Sequence, residues 1–271
     1  MKKKLYLTLA LVCVLAAGGL LFAVLHGRSA PTPPPTPPQE NTEPTPTPAP
    51  PENREPAPEP YESPIDFAAL QERNGDIYAW LNLPGTPVDY PVLQHPTEDE
   101  YYLRRSIDGS WTIAGSLFTQ ARYNGLTFDD PCTIIYGHRM NNDDMFGSLR
   151  RLYYGDADFS EINEIVIYLP DKELHYQIFA GSVYSNDHIM YYFDFHDPAQ
   201  YQQFLDNVYS GRYGVCNVDE SAKASTDDRI LILATCLKND PNHRFLVIGK
   251  LVSQVPADET EEMSEMSKMP G

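Results

Sequence analysis

The chain has 271 residues, a formal net charge of −18 and 42% hydrophobic residues. The first 30 residues carry +4, while residues 31–60 and the C-terminal tail carry −4 each, which leaves −14 on the segment between them. A segment so acidic repels phosphate backbones, which argues against nucleic acid as a partner and tolerates an amine-bearing or cationic one.

The N-terminus reads MKKK, and Leu5 to Leu25 follow without a charge. As a helix those 21 residues reach about 31 Å, enough for the hydrocarbon core of a bilayer. A cleaved signal peptide wants a shorter apolar region, roughly 7–15 residues, and a small-x-small site. Here Arg28 stands two residues before Ala30, and Pro31 follows directly. Residues 1–30 are therefore expected to be a retained signal anchor spanning at about 5–25. Lys2, Lys3 and Lys4 set the N-terminus in the cytoplasm and the rest outside, a single-pass protein of the plasma membrane. Residues 31–60 hold 14 of the 25 prolines and cannot form a packed core. They are expected to be a semi-stiff extracellular linker reaching about 90 Å.

Residues 61–254 have globular composition and suit one domain, with an acidic tail over 255–271. Asp66 to Arg73 spells a short helix with Phe67 and Leu70 on one face, ended by Asn74-Gly75. The runs IYAWLNL, VDYPVL, GSLFT and CTIIYG are short, β-rich and punctuated by Gly, Pro, Asn or Asp. MFGSLRRLYY supplies a helical turn, and EIVIYL and ELHYQIFAGSVYS follow as strands. This spacing predicts a mainly β body, closed or sandwich-like. One segment departs from it. Between Ser185 and Asp228, Asp197 is an N-cap with Pro198 at the first helical position, and Tyr201, Phe204, Leu205 and Val208 form an amphipathic stripe. That insertion precedes the strand RILILATC, after which RFLVIGKLV opens on Arg244.

Beyond the apolar N-terminus there are three cysteines, Cys132, Cys216 and Cys236, so at least one lacks an intramolecular partner. No CxxC or His-x-x-x-His spacing occurs, and no metal or cofactor is expected. Cys236 alone reads as a packed structural cysteine. Of the seven histidines, His26 lies at the membrane end, and His95, His175, His188, His196 and His243 stand in polar or alternating contexts that suit solvated imidazoles. His138 differs, because CTIIYGHRM carries a buried-type run through a Gly to a His. Two strands ending on reactive residues, with Arg244 opening the next, form a less accidental set. If the last two strands are antiparallel neighbours, the Cys236 thiol and Arg244 guanidinium face each other at one edge of the sheet.

The pieces NGDIYAWLNLPGTPVDYPVLQ, DEYYL, AGSLF, TIIYGHRM followed by MFGSL, LATC and the Arg of HRFLVIGK are together similar to the sortases. IYGH followed by MFGSL resembles class B. Two departures stand beside the match: Ala234 in LATC, and Arg139 where Asn is common after the His. The resemblance implies a closed eight-stranded β-barrel with peripheral helices. It also implies a cysteine transpeptidase that anchors secreted proteins to the cell wall of a Gram-positive bacterium. Carried onto this sequence, Cys236 is the nucleophile, His138 the general acid/base and Arg244 the oxyanion or positioning group. The implied partners are a sorting-signal peptide and a peptidoglycan precursor or cross-bridge amine, with the plasma membrane contacted through the N-terminal helix.

Other classes stay open. L,D-transpeptidases resemble a His-Gly-Cys-x-Arg cluster, whereas Arg244 lies eight residues after Cys236. Papain-like wall hydrolases place Cys before His. A pilus-assembling sortase usually carries a lid and often a C-terminal membrane segment, and here the tail is acidic. A non-catalytic surface-tethered β-barrel binding module would leave the three residues unrelated.

Overall fold

In the computed structural model the described residues are 61–256, apart from Phe159 and Lys238. The expected membrane span, the proline-rich linker and nearly all of the acidic tail lie outside them. Among the described residues, no helix is long and apolar enough to cross a membrane.

Helix α1 (Phe67–Arg73) begins where the Asp66 side chain accepts the Ala69 N–H at 3.0 Å, satisfying one orphan donor of the first turn. Phe67 is buried by this helix, and Leu70 packs beside Ile77 and Tyr102 in a small satellite core. The strands are β1 (Ile77–Asn82), β2 (Asp89–Leu93), β3 (Leu117–Phe118), β4 (Cys132–Tyr136), β5 (Glu164–Tyr168), β6 (Glu173–Ser185), β7 (Cys216–Val218), β8 (Ile230–Leu237) and β9 (Asp240–Val255). They run in the order β1-β2-β3-β4-β8-β9-β6-β5, and β5 pairs back onto β1. Eight strands thus close a barrel, as the resemblance implied. The short β7 is a ninth, attached outside the ring to β6. Bulges near His175 and Phe179 help the 13-residue β6 curl around the barrel.

The aliphatic run of β8 has a physical reason. Its alternate residues Leu231 and Leu233 join Ile135, Ile165, Phe245 and Val247 inside the barrel. Ile230, Ile232 and Ala234 point the other way and are also buried, in a second core with Phe179 and Ile248. Helix α4 (Pro198–Tyr209) roofs that second core with Tyr201, Phe204, Leu205 and Val208, all fully buried. The Asp197 side chain caps α4 by accepting the Ala199 N–H at 2.9 Å. Removing that cap costs about 1 kcal/mol in a typical helix. The remaining helices are short: α2 (Leu149–Tyr153), α3 (Ile189–Tyr192) and a 3-10 turn at Tyr101–Arg104. The structure adds α3, β7 and that turn to the elements read from sequence. It also starts β9 at Asp240, four residues before Arg244, because the segment pairs with both β8 and β6 despite its turn-like composition.

Candidate active site

Parallel pairing of β4 with β8 sets Tyr136 beside Ala234, and the Gly137 N–H donates to the Ala234 carbonyl at 3.1 Å. The next residue on each strand is therefore delivered to the same end of the barrel. Thr235, itself buried, donates its hydroxyl to the Gly137 carbonyl at 2.8 Å and ties the two strand ends together. Beyond that bond stand His138 and Cys236. Across the antiparallel β8–β9 pair, Cys236 and Arg244 are direct register partners. Asn239, with φ of 61°, serves the turn between these strands, a conformation Asn tolerates better than most residues. His138, Cys236 and Arg244 all line one cavity of about 210 Å3, with Phe118, Tyr136 and Leu246 among its apolar wall. The sheet therefore brings the three sequence-selected residues together.

Each has a distinct environment. Cys236 is an exposed free thiol, which corrects its reading as a packed cysteine. Cys132 and Cys216 are also free; Cys132 is buried in the second core, and burial pushes both of their thiols up in pKa, Cys132 further. A raised thiol pKa means less thiolate, so these two are the inert pair. His138 is half-buried, and its Nε2 lies 2.7 Å from the Leu103 carbonyl oxygen. A carbonyl only accepts, so Nε2 carries the proton and Nδ1 is left for proton transfer. Burial lowers the His138 pKa from 6.5; the Leu103 bond opposes this, and the nearby Arg104 charge adds to the lowering. The His138 carbonyl also accepts the Phe146 N–H at 3.0 Å, and Arg139 bridges to Met145, so a tight excursion braces the histidine from behind. Gly137 is required by this packing: a Cβ there would stand 2.5 Å from Leu117 and 2.6 Å from the Phe146 ring. Among the described residues, the Arg244 guanidinium makes one hydrogen bond, 3.3 Å to the His243 carbonyl, and its other N–H groups are uncommitted.

Two results were not legible in the sequence. Arg139 turns to Asn141 at 3.1 Å and is not among the residues lining the cavity. His188 is not a solvated imidazole: it lines the cavity, half-buried, with Nε2 2.7 Å from Gln120 Oε1. Among the described residues, no group of three or more His, Cys, Asp or Glu could hold a metal ion.

A family model for the sortase domain matches residues 81–252. Sortase B of Listeria monocytogenes is 34% identical over 189 residues, covering 68% of this chain and 73% of the relative. Sortase B of Staphylococcus aureus is 33% identical over 190 residues, covering 69% and 74%. Among solved structures, the Staphylococcus aureus sortase B–substrate complex superposes with a TM-score of 0.59 at 27% identity, covering 70% of this chain and 86% of that one.

Proposed function

The chain belongs to the sortase family, with class B relatives, and we propose that its acyl transfer runs through Cys236, His138 and Arg244. The enzyme is a cysteine transpeptidase that cleaves a sorting signal and passes the acyl part to an amine. The observation that carries the assignment is the single cavity lined by an exposed thiol, a half-buried imidazole and a guanidinium in register with the thiol.

The steps follow from the chemistry of those groups. The lowered pKa of His138 keeps it uncharged at neutral pH, ready to accept the Cys236 proton as the thiol approaches substrate. The Sγ–C bond forms at the Thr carbonyl of the signal, and the developing oxyanion is met by the Arg244 guanidinium. Collapse breaks the peptide C–N bond, and His138 returns its proton to the departing amine. A thioester on Cys236 remains. The incoming amine attacks it, gives a proton to His138, and the C–S bond breaks to release the ligated product and the thiolate, which recovers the proton.

The amine of a peptidoglycan precursor or cross-bridge suits this second half, because a domain carrying −14 tolerates an amine far better than an anion. The working location we infer is the outer face of the plasma membrane, with residues 5–25 as anchor and the proline-rich stretch as spacer; the uncharged run and MKKK support it. A pilus-assembling role is not better supported than wall anchoring, although a Streptococcus pyogenes class B sortase involved in pilus biogenesis shares the fold. Incubating the full-length protein in detergent with a peptide library and a panel of amines tests the activity. Ligated peptide–amine products are expected, and they disappear in Cys236→Ala. Cleavage that survives Cys236→Ala would remove the assignment.

A further inference from the structure

The chemistry above leaves one wall of the cavity unused. Gln120 follows β3 and is only 7% exposed, yet it lines the cavity together with His188. Its Oε1 sits 2.7 Å from His188 Nε2. An amide oxygen only accepts, so His188 is the Nε2–H tautomer and donates. This leaves both N–H groups of the carboxamide to be satisfied, and among the described residues they have no hydrogen-bond partner. They are not sealed off either, since that nitrogen is absent from the buried atoms lacking a partner. A donor held at a cavity wall with its own oxygen already committed is a fixed hydrogen-bonding element.

His188 is itself held in place. Its ring packs over Tyr123 at 4.7 Å and tilts toward Tyr136 at 6.4 Å, and its Nδ1 is buried without a partner. The same strap is pinned on its other side, where the Asn186 N–H donates to the Asn242 carbonyl and its Nδ2 to the Pro241 carbonyl, both at 2.9 Å. Residues 186–188 thus cross from the β8–β9 hairpin to Gln120. Burial lowers the His188 pKa, so the neutral donor form persists at neutral pH, against the opposing pull of its own backbone, Asp99 and Glu100 and with Arg122 adding to the lowering.

We propose that Gln120 is a specificity-determining residue whose carboxamide N–H donates to a neutral carbonyl of the sorting signal, and that His188 positions it. A carbonyl, rather than a carboxylate, fits because Glu100 and Asp187 also line this cavity and repel an anion, while the Arg244 guanidinium of the same cavity is engaged by the oxyanion. The inference rests on the transpeptidase assignment and adds the acceptor that the signal must present.

The test uses full-length protein in detergent and a library of pentapeptides that keep one Thr and are randomised at each preceding position. Gln120→Glu keeps the shape and exchanges donor for acceptor, while Gln120→Met keeps bulk and removes both. Gln120→Glu is expected to shift preference at one position from side chains that present a neutral carbonyl toward Lys and Arg, by about ten-fold or more in kcat/KM. Gln120→Met loses about ten-fold, chiefly through KM. His188→Gln, which can still donate, restores more of the wild-type profile than His188→Phe, which keeps only the ring. Iodoacetamide labelling of Cys236 at the wild-type rate verifies the fold in each variant. A profile unchanged in Gln120→Glu, or in Gln120→Met should the first not fold, overturns the role of Gln120 alone. A wild type that cleaves no peptide in the library brings down the transpeptidase assignment, and this inference with it.

Discussion

The Leu103 carbonyl accepts a hydrogen bond from the Nε2–H of His138 and so decides which ring nitrogen is free for chemistry. Any residue carries a carbonyl, so nothing in the sequence marks Leu103 for this task. Cys236, His138 and Arg244 were legible for the opposite reason: each is a reactive residue type placed where an aliphatic run ends or begins. Gln120 and His188 were hidden because they are 68 residues apart and meet only in the folded barrel. Residue-scale consequences follow. Cys236→Ala abolishes cleavage and transfer, while Cys132→Ala and Cys216→Ala retain activity, as assayed by product formation. His138→Ala and Arg244→Ala each lose at least about a hundred-fold in kcat/KM, the usual worth of acid–base help and of one oxyanion donor. For pH, the sign is set by the lowered pKa of His138. The neutral imidazole is the competent form, so activity persists below the ordinary imidazole range and is lost as pH falls through the lowered value. The acid limb of the kcat/KM profile therefore has its midpoint below about 6.5. Arg104→Ala removes a positive neighbour and moves that midpoint upward; a midpoint unmoved in this variant removes Arg104 from the account.

At the scale of elements, the insertion between β6 and β8 does two separable jobs. Its helix α4 covers the outer faces of β4, β6, β8 and β9, whereas its first residues line the cavity. The helix was readable because Tyr201, Phe204, Leu205 and Val208 repeat at helical spacing behind an Asp-Pro start. Helix α3 and strand β7 were not, since segments of four and three residues carry no periodicity. Phe204→Ala opens a hole in the second core and costs about 3–5 kcal/mol, measured by denaturant unfolding. Exchanging the insertion for that of a class B relative with different preference, with the α4 stripe kept, moves the ratio of kcat/KM for two competing sorting peptides by about ten- to two-hundred-fold. The same chimera keeps its rate of Cys236 labelling, because the thiol is carried by β8. An unchanged ratio in a folded chimera shifts specificity to Gln120 or to residues 141–144 or 239–243.

At the scale of the whole molecule, a closed barrel belongs to an acidic chain for which we propose a membrane anchor at residues 5–25. Barrel closure leaves the site at one end, where β4, β8 and β9 deliver their residues to a common cavity. The β-rich class was legible from many short strands punctuated by turn residues, whereas closure was implied only by the family resemblance, because the β5–β1 pair joins strands more than 80 residues apart. On intact protoplasts, added protease is expected to remove the catalytic domain by cutting within residues 31–60 and to leave the Lys2–Lys4 end protected. A secreted form beginning at or after Pro31 would show that the anchor is cleaved. The central claim is that acyl transfer passes through a thioester on Cys236, and its most direct measurement is the mass of the trapped intermediate. Full-length protein is mixed with a cleavable sorting peptide, quenched in acid and digested, and the fragment bearing the acyl group is sequenced by mass spectrometry. The adduct is expected on Cys236, absent from Cys132 and Cys216, and discharged by added amine to give the ligated peptide. Efficient cleavage with the adduct on another residue, or with none on Cys236 under single-turnover conditions, would contradict the account.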